Sequence, residues 1–494
     1  MKERDSIMNN GNELKYRRNR KKKNKSILLV IIMVVMLAIA ALLLKFILPK
    51  GTTPSNNKGN QGENVTPGGD NITPGGEDGD TDTPDDTDDS QGEEPDNSAE
   101  EEAKQLFAQL MDKADRTAKG YDYDGAIELL KGVEDYESNT EITDRMKQYE
   151  EEKSKLVEWE DVTKVSHVFF HTLIVDTDKA FDGDSREGGY NQVMTTIDEF
   201  NKIMKQMYDR GYVLVSVHDM ANFVTEEDGS VTFKKGTIML PEGKIPFVLS
   251  QDDVSYYEYM EHDGFAHRLV IGEDGMVTNE MDLEDGTTVR GSYDMIPLLE
   301  DFIKEYPDFS YRGARGILAL TGYNGVLGYR TSPRTYKDST TLAEDTKTAT
   351  EVANRLKEMG WEFASHGWGH RDLGNISYDA FKWDTDMWES EVKPILGDTD
   401  IIIFPFGSDV GDWKPYKGDR YEYLKSKGFV YFCNVDAAGP YWVQITDNYL
   451  RQGRINLDGM RMYEAISGGR NRVEPFFDVE SVFDKARPLP VPGM

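Results

Sequence analysis

Two histidines, His366 and His370, stand four apart in FASHGWGH, residues 363–370. Glycines separate them, and Trp368 is the one bulky residue between. A turned segment with that spacing brings two imidazoles within about 5–6 Å, close enough to share a metal ion. The chain's other pair at this spacing, His167 and His171 in SHVFFHTLIV, reads differently. Its β-branched and aromatic residues predict a strand, along which four residues span about 13 Å, so those two side chains cannot hold one ion. A histidine pair needs a third ligand. Asp252 and Asp253, adjacent in FVLSQDDVSYY, are the candidates. Either would complete an Asp-His-His set, and three N/O ligands with a position left open suit a catalytic zinc. The remaining aspartate is then free to act as a base on water.

These residues need elements that bring them together. From about residue 163, apolar runs alternate with helical patterns. The runs are HVFFHTLIV, YVLVSV, IPFVLS, GILALTG, WEFAS, DIIIFPF, FVYFCNV and YWVQIT. Segments such as TTIDEFNKIMKQMYDRG and TATEVANRLKEMG separate them. Strands alternating with helices predict an α/β fold with a parallel sheet, and a span of residues 163–490 suits a (β/α) barrel. The aspartate pair follows IPFVLS, the histidine pair follows WEFAS, and Asp409 and Asp412 follow DIIIFPF. C-terminal strand ends of a barrel converge on one face, which would gather these clusters. Residues of about 260–295 read as a β-hairpin inserted into the barrel.

The rest of the chain bounds the setting. It has 494 residues and a formal net charge of −33, which argues against a nucleic-acid partner. Residues 1–26 form a basic tail containing KYRRNRKKKNK, and residues 27–48 open with eighteen uninterrupted apolar residues. Such a run can span a bilayer, and the basic flank places the N-terminus in the cytoplasm and the remainder outside the cell membrane. Residues 49–98 are rich in Pro, Gly, Asp and Thr and read as a disordered acidic linker. Residues 99–160 show helical spacing and read as a helical hairpin spacer, with YDYDGAIELLKG similar to part of a tetratricopeptide hairpin. Cys433 is the one cysteine, so neither a disulfide framework nor a cysteine-ligated zinc is possible.

SQDDV, HGWGH and FPFG together resemble the first three motifs of the polysaccharide deacetylase family, the NodB-homology group called carbohydrate esterase family 4. The resemblance implies a distorted (β/α) barrel of about seven strands that hydrolyses N-acetyl, sometimes O-acetyl, groups on sugars. It implies Asp252 as general base, and Asp253, His366 and His370 as ligands of a divalent metal, most simply Zn²⁺. It also implies that the backbone N–H of Phe406 helps to bind the oxyanion. On this likeness the aromatics of LTGYNGVLGYRTSPRTY are expected on the active face, where they could stack on sugar rings.

The chain departs from the family pattern in four places. Gln251 and Val254 replace Phe and Gly beside the aspartates, and Ile403 stands where an arginine normally orients the base. The late Leu-x-His acid is missing, with RINLDGMRM, residues 454–462, in its place. His171, at the end of the first predicted strand, is the leading substitute for that acid, ahead of Asp458 and Tyr441. Two functions follow from the sequence. One is a membrane-anchored, metal-dependent deacetylase acting on a cell-envelope polysaccharide such as peptidoglycan. The other is a catalytically inert barrel serving as a carbohydrate-binding module at the cell surface.

Overall fold

The computed structural model describes residues 98–436 and 438–493. The expected tail 1–26, anchor 27–48 and all but the end of the linker 49–98 lie outside the described residues. Among the described residues, no helix is long and apolar enough to cross a membrane.

Seven parallel strands close into a barrel: β1 (Ser166–Phe170), β2 (Ile245–Gln251), β3 (Ile317–Leu320), β4 (Glu362–Ser365), β5 (Ile401–Ile403), β6 (Tyr431–Val435) and β7 (Leu450–Asn456). Each strand pairs with the next in the chain. β7 returns to β1 through Ile455 opposite Val168, and Ser250 opposite Ile317 joins β2 to β3. The YVLVSV run supplies only a short strand, Tyr212–Leu214, along the lower half of β2. YWVQIT departs from the parallel pattern: Trp442–Ile445 runs antiparallel against β7.

Side-chain alternation explains why the strands read as nearly continuous apolar runs. Strands of a parallel barrel are buried on both faces. One contiguous core cluster takes Val248 from β2, Ile317 and Ala319 from β3, and Ala364 from β4. It continues with Ile401 and Ile403 from β5, Tyr431 and Cys433 from β6, and Leu450 from β7. A cluster drawn from successive strands around the ring is the barrel lumen. The alternate residues Val168, Phe247, Leu249, Leu318 and Leu320 belong to the outer core beneath the helices. There the helix Ile197–Asp209 offers Phe200, Ile203, Met204 and Met207 at i, i+3, i+4 and i+7, and all four are buried. Burying each such side chain contributes about 1.5–3 kcal/mol. Thr196 and Glu199 close a capping box at the start of this helix.

Two expectations need correction. The spacer is not a lone hairpin, because a third helix, Thr140–Lys153, joins Ser98–Lys119 and Tyr123–Lys131 around Ala114, Ala126, Leu130, Ile142 and Tyr149. It docks on the barrel through the Arg312 N–H, which donates to the Gly120 carbonyl at 2.7 Å, and through Tyr121 stacked on Tyr311. The insert is a three-stranded antiparallel meander, Arg268–Ile271, Val277–Asp282 and Thr288–Gly291, rather than a hairpin. Its second turn, at Gly286 with φ 81°, is as sharp as the first at Gly275, so TTVRG returns as a third strand.

At the opposite rim from the strand C-termini, His218 bridges two strand entrances. Its Nδ1 lies 2.5 Å from Glu362, the first residue of β4, and its Nε2 lies 3.1 Å from Asp400, just before β5. Burial lowers the imidazole pKa, but hydrogen bonds to Asp400 and Glu362 and their charges outweigh it and raise the value to about 10. A folded pKa above the unfolded one near 6.5 adds stability in full below that unfolded value. The gain fades as pH rises and is gone above about 10. Solvent reaches part of this bridge, so its worth is about 2 kcal/mol. His218→Gln is therefore expected to lower Tm by about 2–3 °C at pH 6, with the gap from wild type closing towards pH 10. A gap that is constant with pH would show that the bridge is not ionic.

Candidate metal centre

Alternation along the strands sets the polar side chains of the upper lumen. In β2, Val248 faces inward, so Ser250 and Asp252 do too. In β4, Ala364 carries His366 inward, and in β7, Leu450 carries Gln452 and Arg454. The result is a buried polar stack on the lumen axis, with His167, Ser250, Asp252, His366, Gln452 and Arg454 all buried.

His167 occupies the lower tier. Its Nε2 lies 2.9 Å from Ser250 Oγ and its Nδ1 3.2 Å from Gln452 Oε1. Burial, then the Arg454 charge, pushes its pKa well below the ordinary value, so it is a neutral core histidine rather than a ligand.

The upper tier gathers the ligand atoms. Asp253, His366 and His370 each present one, and all lie within 4.8 Å of one another. His366 Nε2 is 3.9 Å from Asp253 Oδ1, and His370 Nε2 is 3.7 Å from the same oxygen. Tetrahedral zinc with bonds near 2.0–2.1 Å needs ligand atoms about 3.4 Å apart, so a small contraction fits these residues to such an ion. The His366 Nδ1–H donates to the Ile403 carbonyl at 2.8 Å, which turns the Nε2 lone pair towards the shared space. Burial pushes this imidazole down to about 4, and it is neutral, the ligating form, at neutral pH. Ile403, which lacks the expected arginine side chain, thus serves the site through its backbone.

The loop carrying the histidines is not a helical turn. The buried Asp384 accepts the Trp368 N–H at 2.8 Å and the Gly369 N–H at 2.9 Å, folding the loop around one carboxylate. Gly367 has φ 67°, and a Cβ there would meet Asp384 Oδ2 at 2.7 Å, so the position requires glycine. Asp253, His370 and Phe406 also hold positive φ, at 59°, 48° and 58°. Left-handed backbone at three non-glycine residues is costly and marks a place where surrounding structure imposes the geometry. Tyr257 adds a hydrogen bond of 2.5 Å from its hydroxyl to Asp253 Oδ1.

Asp252 is held differently. Arg454 Nη1 donates to its Oδ1 at 2.6 Å and Nη2 to its Oδ2 at 2.9 Å, a bidentate pair in which the arginine side chain is fully buried. Burial alone would raise the Asp252 pKa. The Arg454 charge and its hydrogen bonds overcome it and hold the carboxyl well below the usual range. The missing arginine is therefore supplied by β7, from the very segment that lacks the late histidine. Sequence reading missed this role. The signal was there: an arginine two residues beyond Gln452 on a lumen-facing register must find a buried anion. Asp384, by contrast, had no signature within SYDAFKWDTDMWES.

His171 stands one residue beyond β1, partly buried, and its Nδ1–H donates to the Val193 carbonyl at 3.0 Å, while Nε2 has no hydrogen-bond partner among the described residues. It lies near enough to Asp252, Asp253 and Asp458 to interact with their carboxyls. Asp458 caps the helix Gly459–Ile466 and accepts the Asn456 amide; burial raises its pKa. Tyr441 is 42% exposed and makes no contact with this group among the described residues. Asp409 is tied to Arg451, Asn434 and Tyr416 and belongs to the wall beside the centre. The Phe406 ring, 70% exposed, meets His370 edge-on at 4.6 Å. Gln251, where the family has phenylalanine, bonds Asp294 at 2.7 Å and the His171 carbonyl at 3.3 Å.

Residues 338–431 match the family model described as polysaccharide deacetylase. That span holds both histidines and Phe406 but neither aspartate. None of the curated proteins matches this chain. One similar solved structure is the Streptococcus pyogenes deacetylase PplD in complex with acetate. It is 14% identical, with alignment over 65% of this chain and 100% of that chain and a TM-score of 0.33. Another is BC0361, a polysaccharide deacetylase from Bacillus cereus, 12% identical over 61% of this chain and 65% of that one, with a TM-score of 0.31.

Proposed function

We propose that this chain, a member of the polysaccharide deacetylase family by its match over residues 338–431, is a metal-dependent hydrolase of acetyl groups on a cell-envelope glycan such as peptidoglycan. The observation that carries the reading is the convergence of Asp253, His366 and His370 beside an ionised Asp252. A divalent ion in that set, zinc by the nature of the donors, would supply a Lewis acid that polarises the acetyl carbonyl and acidifies a water. Asp252 takes the proton of the attacking water, and the Arg454 fork keeps both of its oxygens aimed. His171 returns a proton to the departing amine from Nε2, since the Val193 carbonyl occupies Nδ1. By the family likeness, the backbone N–H of Phe406 would help to hold the developing oxyanion. Arg454 and His171 between them fill both gaps that favoured an inert carbohydrate-binding barrel.

The setting belongs to the same proposal. The apolar run 27–48 anchors the chain in the cell membrane, and the tail's positive charge keeps it cytoplasmic with the barrel outside. Full-length protein is expected to release acetate from peptidoglycan fragments or chitooligosaccharides, to stop with a chelator and to recover with zinc. Metal-loaded protein that binds these glycans and releases no acetate would favour the binding-module alternative. Protease added to intact cells should remove the barrel; a fully protected chain would overturn the orientation.

A further inference from the structure

The wall of the centre holds a second group of residues. Trp383, on the helix Tyr378–Glu391, packs edge-on against Trp368 at 5.3 Å, and Trp368 lies between the two ligand histidines. Two guanidinium groups face the Trp383 indole: Arg334 with its Cζ 5.2 Å from the ring centroid, and Arg371 at 5.1 Å. Arg371 directly follows the ligand His370 and is 44% exposed. Arg334 is also exposed.

Their partners distinguish them. Acidic residues outnumber basic ones by 90 to 57 in this chain, and arginines such as Arg268, Arg315 and Arg330 sit on carboxylates within 3 Å. Among the described residues, Arg334 has no carboxylate at ion-pair distance. Arg371 has only Asp384, 3.8 Å from its Nε, and that carboxylate is already engaged by two backbone N–H groups. An aromatic face holds a guanidinium without neutralising it, so the N–H edges stay available to a planar oxyanion.

The position is also fixed. The loop that bears Arg334 is bound to the ligand loop at two places. The Gly322 and Tyr323 N–H groups both donate to the Trp368 carbonyl at 2.9 Å. Glu391 accepts from Ser332 Oγ at 2.7 Å and from Trp368 Nε1 at 2.9 Å. Arg334 therefore cannot drift from the metal loop without breaking these bonds.

We propose that Arg334 and Arg371, mounted on Trp383, form an anion subsite beside the metal centre. It selects a glycan that carries a carboxylate or phosphate next to the acetylated sugar. The inference rests on the deacetylase reading for its purpose, but its test does not need turnover. Full-length, zinc-loaded protein is titrated with two probes of equal length: neutral chitotetraose, and the peptidoglycan tetrasaccharide with free lactyl carboxylates. The wild type should bind the acidic probe about tenfold or more tightly, and added salt should erode the preference. Arg334→Gln and Arg371→Gln should each cut the acidic-to-neutral affinity ratio roughly tenfold, and Arg334→Lys should restore part of it. Inorganic phosphate should compete with the acidic probe in the wild type and much less in the double variant, whereas a phosphate effect alone, without carboxylate preference, would assign the subsite to phosphorylated glycans. Where turnover is measurable, KM should carry the change more than kcat. Zinc content, measured on each variant, identifies any loss that comes from the metal loop. Equal affinity for the two probes with no phosphate competition, or an unaltered ratio in both zinc-replete glutamine variants, would overturn the subsite. Loss of acetate release with the preference intact would overturn the deacetylase reading and leave the subsite standing.

Discussion

Asp252→Asn is expected to lower acetyl hydrolysis by about 10²–10⁴-fold while the protein keeps its metal. The residue sits beside the ligand set, not in it: its oxygens are taken by Arg454, and the ligand oxygen nearest both histidines is Asp253 Oδ1. Asparagine preserves shape and one acceptor but cannot take a proton. The exchange leaves the buried Arg454 without its counter-charge, a loss of the kind that costs roughly 3–5 kcal/mol, so Tm should fall as well. Metal content on the folded fraction separates the two effects. Asp253→Asn, His366→Ala and His370→Ala should each lose metal, whereas His167→Ala should keep it. If Asp252→Asn sheds its metal and Asp253→Asn retains it, the base and the ligand have been assigned the wrong way round. Arg454→Gln offers a second approach: an Asp252 released from its fork should have a higher pKa, which would move the acid limb of the pH–rate profile upward.

The second large effect concerns the leaving group. Expulsion of an amine requires a proton, and in the proposed reaction His171 delivers it. His171→Ala should slow amide hydrolysis by about 10²–10⁴-fold, with metal affinity close to that of the wild type. An ester substrate, whose leaving group needs less protonation, should lose much less. His171→Gln, which keeps a hydrogen bond to the Val193 carbonyl within reach, guards against a purely structural effect of the alanine. Equal losses on ester and amide would remove His171 from proton transfer. The neighbouring Asp458, whose pKa burial raises, would then be the next residue to test.

The sequence by itself determined a great deal of this. Strand-length apolar runs separated by helical periods implied a parallel sheet, closed on itself or covered by helices, because only a sheet covered on both faces can bury runs such as Ile401–Ile403. Period-two alternation puts Ser250 with Asp252 on one face of β2 and Gln452 with Arg454 on one face of β7, but which face is the lumen was set by closure of the barrel. The types and spacing of Asp253, His366 and His370 were enough to suggest a metal set. Tertiary structure decided the rest. Arg454 lies some two hundred residues from Asp252 in the chain, and only closure of β7 beside β1 and β2 brings that fork onto the base. The folded form of the histidine loop depends on Asp384, a helix residue that local sequence marks as ordinary. The pairing of Arg334 with Arg371 depends on one indole that belongs to neither loop. These are contacts across the barrel, set by packing rather than periodicity. A local pattern can state which face a side chain occupies, but only the closed structure fixes what meets it there.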